Sequence, residues 1–169
     1  MLARKISFGK WRAKPYLAAD AIRADAVTGC LRTRDDTLSF WSCEDTPDDL
    51  DQVFLALATG SSVSRFETMD IVLIAEADLD DAGVVTEANE GDTAVEDLKA
   101  RHIDLVYLDL DKLAALARII AARVRVLHAR RTAGQLRRLV EDAVVVGRLR
   151  PELLNPELGD RLRARGTPD

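Results

Sequence analysis

Apolar positions along this 169-residue chain change their spacing from stretch to stretch, and each spacing predicts an element. Met69–Ala75 is a short apolar run rich in β-branched residues and broken only by Asp70, which predicts a buried strand. His102–Leu108 reads the same way. Gly83–Ala88 is a weaker strand, with the acidic stretch Glu76–Asp81 as its connection to the first. Leu50, Val53, Phe54, Leu57 and Ala58 recur at helical spacing behind Thr46-Pro47-Asp48-Asp49. There Thr46 can cap, Pro47 suits the first turn, and the acids oppose the positive end of the helix dipole. Thr93-Ala94-Val95-Glu96 matches a capping box and predicts a short helix ending near Arg101. After Asp109 the spacing turns helical: Leu113, Leu116, Ala117, Ile120, Val124 and Leu127 form one stripe that no Gly or Pro interrupts, with a short strand over Val124–Leu127 as the less favoured alternative. Thr132–Gln135 is a second capping box, opening a helix with the stripe Leu136, Leu139, Val140, Ala143 and Val144. Pro156–Arg165 has weak helical character.

Upstream, Ala26–Arg32 and Leu38–Cys43 flank the polar turn Arg34-Asp35-Asp36-Thr37 and predict a β-hairpin over 26–44. With Asp35-Asp36 as a two-residue loop, Leu31, Leu38 and Phe40 share the core face and Trp41 takes the outer one. Trp41 then needs a cover, either the N-terminal segment with Phe8 and Trp11 or a partner's surface.

The order of elements predicts an α+β fold: a mixed β-sheet in the first two-thirds with packed helices, and a C-terminal helical pair within 110–165. The length fits a single domain, 1–165, with 166–169 as a disordered tail. Two cysteines, Cys30 and Cys43, make no disulfide framework and read as reduced thiols. No signal peptide and no spanning segment is visible, so a cytoplasmic location without membrane contact is expected. Arg exceeds Lys nineteen to five, a usage typical of a GC-rich bacterial genome.

Charge adds what periodicity does not. Residues 1–34 carry eight Lys/Arg against two Asp/Glu, 35–99 two against eighteen, and 118–165 twelve against five. An acidic middle between basic ends can close on itself or offer opposite faces to two partners. The acidic side includes Asp48, Asp49 and Asp51 at a helix start, and can steer a basic protein partner. The basic side includes Arg130, Arg131, Arg137 and Arg138. It can track phosphates, but it has no aromatic residue for base stacking, and Glu141 and Asp142 pair part of it locally; nucleic acid is therefore not the expected partner.

Two segments carry candidate chemistry. Leu105–Asp111 is an apolar strand ending in Asp109-Leu110-Asp111, and two carboxylates at a strand's end can hold Mg²⁺ or act as nucleophile and acid. The run resembles the first motif of haloacid-dehalogenase-like phosphatases over about seven residues, with Lys112 and Leu113 where that family has a small residue and Thr. The same aspartates can simply cap the following helix. Gly60-Ser61-Ser62 followed by Met69-Asp70-Ile71-Val72 resembles a nucleotidyltransferase site in which Val72 replaces the second carboxylate. No metal-ligand spacing joins His102, His128, Cys30 and Cys43. The expectation is a non-enzymatic protein that binds another protein, as an immunity-, antitoxin- or regulator-like module does, with homo-oligomerisation through the C-terminal helices possible on stripe geometry. The alternatives are Mg²⁺-dependent phosphoryl or nucleotidyl transfer at Asp109 and Asp111, with Asp70, or nucleic-acid binding by the C-terminal arginines.

Overall fold

All six residues of Met69–Ile74 are buried, so both faces of that strand must be covered. The computed structural model, which describes residues 1–18 and 21–163, shows how. The strands are β1 (Leu2–Ile6), β2 (Leu38–Ser42), β3 (Met69–Ile74), β4 (Val85–Ala88), β5 (His102–Val106) and β6 (His128–Arg131). They form one sheet in the order β4-β5-β2-β1-β3-β6, and every neighbouring pair is antiparallel. The helices are α1 (Phe8–Trp11), α2 (Ala24–Cys30), α3 (Pro47–Ala58), α4 (Glu76–Asp81), α5 (Leu110–Arg123), α6 (Ala133–Val145) and α7 (Pro156–Arg163), with 3-10 turns at Glu96–Arg101 and Pro151–Leu153. The fold is α+β. None of the described helices is long and apolar enough to cross a membrane.

Alternation along the strands splits the interior in two. Ala3, Trp41, Ile71 and Leu73 meet Val53 and Phe54 of α3, Leu136 and Val140 of α6, and Leu158 of α7. Leu2, Phe40, Val72, Ile74 and Leu105 point the other way, to Leu79 of α4, Leu116 and Ile120 of α5, and Trp11 and Ala26. The result is three layers with the sheet between. Each fully buried Phe or Leu in either core is worth about 1.5–3 kcal/mol.

Three helix caps form as the sequence implies, but the capping box expected at Thr93–Glu96 does not: Thr93 Oγ1 bonds Thr59 Oγ1 and accepts from Val95 N–H, and Val95 is the N-cap of a 3-10 turn with no side-chain cap. The Thr46 side chain accepts from Asp49 N–H with Pro47 at the first turn, Asp109 accepts from Lys112 N–H, and Thr132 and Gln135 make a reciprocal capping box.

Several expectations are corrected. The sheet is antiparallel throughout, not mixed. The hairpin over 26–44 keeps its turn but loses its first arm, because Ala24–Cys30 is helix. Trp41 pairs instead with His102 on β5 and is 5% exposed. Its cover is His102 and Gly91, where a Cβ would overlap the indole ring and come within 2.8 Å of His102 Cβ. Phe8 stacks on His128, and Trp11 lies in the opposite core. β1 replaces the hairpin arm at the centre of the sheet. Glu76–Asp81 is helical, not a plain connection. The helical stripe ends at Arg123; His128–Arg131 returns as edge strand β6, so the sheet reaches into the last third. The two long C-terminal helices consequently pack on opposite faces of the sheet, α5 on one and α6 on the other, and do not form a mutual pair. The tail expected at 166–169 lies outside the described residues.

Candidate functional site

One corner of the sheet collects every non-glycine residue with positive φ among those described: Asp35 (52°), Asp36 (57°) and Tyr107 (54°). Two successive left-handed residues are what a two-residue type I′ turn requires, and the Arg34↔Thr37 bridge closes it. Tyr107 is different, since a bulky side chain at positive φ is an outlier that its surroundings must enforce. Leu108 behind it is buried, and its N–H donates to Asp36 O at 3.0 Å. Lys112 Nζ donates to Tyr107 O at 2.9 Å, and Tyr107 Oη reaches Glu87 Oε1 at 3.3 Å. With Leu108 pulled in and Asp109 fixed as the cap of α5, Tyr107 and Leu110 are driven outward, 67% and 83% exposed. A cleft of about 560 Å³ lies between them and the Asp36 turn. Asp36 and Asp109 line the cleft and Glu87 meets the Tyr107 hydroxyl, with Asp35 and Asp111 next to them in sequence; Lys112 is turned onto a carbonyl and Arg34 leans on Asp35 at 3.7 Å.

The charged residues named from the sequence have mostly found each other. Arg130 grips Asp70 with Nε at 2.7 Å and Nη2 at 3.1 Å, and His128 Nε2 lies 2.8 Å from the same carboxylate. Burial works to raise Asp70, but the hydrogen bonds from Arg130 and His128 outweigh it and hold the carboxyl below its usual value. Asp49 is likewise held low: burial opposes, and Arg101 (2.5 Å) with Glu44 N–H prevails. Arg131 pairs with Asp51 at 2.6 Å and lies over the Phe54 ring. Arg123–Asp78 and Arg148–Asp97 close two further links, each lowering its aspartate mainly through the side-chain hydrogen bond. Arg137 sits over Phe66, 3.8 Å from Glu141. Asp48 and Arg138 are exposed.

The structure does not bring Asp70 and Asp109 together. Asp70 lies on β3 and Asp109 just beyond β5, with β1 and β2 between, which is about 14 Å across the sheet. No group of three His, Cys, Asp or Glu side chains among the described residues could hold a metal ion. Trp41 is a core residue and not an exposed anchor. Tyr107 was missed because it looks like one more apolar strand position in Leu105–Leu108. Its signal was the Asp109 cap, which forces a reversal just after the strand. Comparison with protein-family models, with curated proteins and with solved structures gives no match.

Proposed function

We propose that the protein acts by binding another protein, one with a basic surface, through the corner formed by the Asp35-Asp36 turn, Tyr107 and the start of α5. The observation that carries this reading is Tyr107, held out to solvent by a left-handed backbone that a tyrosine does not adopt without enforcement. Exposed aromatic anchors dominate binding energies at protein interfaces. Beside it, Leu110 supplies a second apolar contact. The surrounding carboxylates favour a partner of opposite sign and speed its approach. The positive end of α5 offsets only about half a charge of that acidic rim.

The test is a photo-crosslinking residue at position 107 or 110, with position 145 as an exposed control remote from the corner in sequence, in cells that make the protein. A basic protein captured from the corner positions alone is then purified. Its affinity is measured against Tyr107→Ala, which is expected to weaken binding by about thirtyfold, as loss of an interface hot spot does. Equal capture from all three positions, or an affinity that Tyr107→Ala leaves intact, overturns the reading.

A further inference from the structure

Within the basic N-terminal block Arg23 and Arg34 pair with Asp25 and Asp35, whereas Arg4, Lys5 and Lys10 gather near the start of β2 and the end of α2. β1 runs beside β3 from Leu2 to Ile6, but beside β2 only through Leu2↔Ser42 and Ala3↔Trp41. From Arg4 onward the two strands part, and a slot of about 290 Å³ opens between Arg4–Ser7 and Ser39. Arg4 lines it, donating from Nε and Nη2 to Cys30 O and from Nη1 to Ser39 O. A guanidinium has five N–H donors, so these three bonds leave two uncommitted. Lys5 also lines the slot, and Lys10 lays its ammonium on Gly29 at the rim, in space that any Cβ would occupy.

None of these three cations has a carboxylate partner among the described residues, in a chain of net charge −5 whose other half-buried arginines have found carboxylates. Burial without a counter-charge pulls the Arg4 guanidinium down to about 10, the nearby Cys30 acting weakly the other way. An anion in the slot would reverse that cost. Trp41 and Leu57 add apolar lining, and the slot's volume of about 290 Å³ suits a small molecule. Arg4 faces the Val72 and Phe40 side of the sheet and Lys5 the Ile71 side, so cations flank the slot from both faces and match a dianion better than a monocarboxylate; a phosphoryl group carries about −1.5 to −2 at neutral pH.

We infer that the slot between β1 and β2 is a binding site for a small phosphorylated ligand, with Arg4 and Lys5 in its wall and Lys10 at its rim holding the phosphoryl oxygens. The site shares no lining residue with the Tyr107 corner.

The experiment uses inorganic phosphate as probe, with acetate and chloride at matched ionic strength as the other arms. It follows backbone amide shifts by NMR on the full chain. Phosphate is expected to give saturable shifts at Lys5, Ser7, Gly29 and Ser39. Lys5→Ala and Lys10→Ala should each weaken it about tenfold, the loss of one charge-assisted hydrogen bond, while Arg138→Ala binds as the wild type does. Arg4 also ties down the end of α2, so the two lysine variants carry the test if Arg4→Gln does not fold. Shifts that do not saturate at millimolar phosphate, that chloride reproduces, or that survive both lysine substitutions overturn the site. Equal binding of acetate overturns the phosphoryl assignment.

Discussion

Replacing Tyr107 by glycine and by alanine separates strain from packing. A buried tyrosine hides about 150–250 Å². Tyr107 is 67% exposed, so about a third of that is covered, roughly 50–80 Å² or about 1.3–2 kcal/mol at ~25 cal/mol/Å², an upper bound. Both substitutions lose this contact and the exposed bond to Glu87. Alanine keeps a Cβ at positive φ and hence the strain; glycine relieves about 1–2 kcal/mol of it. Glycine loses about 0.5–1 kcal/mol of that to the greater freedom of the unfolded chain. Tyr107→Ala is therefore expected to destabilise by about 1.5 kcal/mol. Tyr107→Gly should be the more stable of the two by about 0.5–1 kcal/mol, the reverse of the usual order in regular structure. Urea unfolding followed by circular dichroism and by tryptophan fluorescence measures both. Trp11 and Trp41 sit in opposite cores, so coincident transitions also check two-state behaviour. An alanine variant more stable than the glycine variant refutes the enforced left-handed conformation. A loss above about 3 kcal/mol in either makes Tyr107 a packing residue.

Asp70→Asn removes the acceptor shared by Arg130 and His128 and should cost about 1–3 kcal/mol in urea unfolding, discounted because Arg130 is half exposed. Asp49, Asp70, Asp78 and Asp97 all have folded values below their unfolded ones. Their stabilisation is present above about pH 4 and is lost as pH falls from there toward the folded values, so an acid titration of stability should be shallower in Asp70→Asn. Asp109→Ala should cost about 1 kcal/mol as a lost helix cap, and Mg²⁺ or Mn²⁺ should leave the melting temperature of the wild type unchanged. A metal-dependent rise abolished in Asp109→Asn with Asp111→Asn would instead support phosphoryl transfer. Cys43 is pushed up to about 11, chiefly by burial, and should resist alkylation at pH 8 until the chain unfolds; rapid labelling of the native protein contradicts that packing.

The parts of this fold legible in the sequence are those with local causes. Thr46, Asp109 and Thr132 cap helices through atoms three residues away, and β3 is apolar because both of its faces are covered. What escaped reading depends on distant partners. Leu2–Ile6 contains Arg4 and Lys5, which disguise a central strand; Arg4 is tolerated because carbonyls from Cys30 and Ser39 receive it. His128–Arg131 has one apolar side chain in four, and it is a strand because Asp70 and Asp51 neutralise its arginines. Ala24–Cys30 carries β-branched Val27 and Thr28, yet is helix because Ala26 and Cys30, four apart, pack inward on one side. Of the candidate site, Asp109 and Asp111 were visible as a motif. Tyr107 and the Asp36 turn converge only after residues some seventy positions apart are brought into contact.

The charge layout then takes on a specific form. Arg123, Arg130, Arg131 and Arg148 are matched with Asp78, Asp70, Asp51 and Asp97, which cancels basic charge of the last third against acidic charge of the middle. Among the charges outside these pairs are the cations beside the β1–β2 slot and the carboxylates around Tyr107. Because the strands are antiparallel, the end of β1, the start of β2 and the end of β5 lie at the same edge of the molecule, so the two residual patches are neighbours of opposite sign. Asp35 and Asp36 allow the acidic patch to be altered without touching the fold. Both sit at left-handed φ, where asparagine is at least as well accommodated as aspartate. Asp35→Asn with Asp36→Asn should therefore leave stability within about 0.5 kcal/mol of the wild type. Association with a basic partner should slow about tenfold at low ionic strength, with little change in dissociation. The difference should shrink as salt is raised, since exposed charges are screened over about 10 Å at 0.1 M. Stopped-flow association at two salt concentrations reads this directly. An association rate that is insensitive to both the substitutions and the salt refutes electrostatic guidance by this corner, and leaves Tyr107 and Leu110 as its whole contribution.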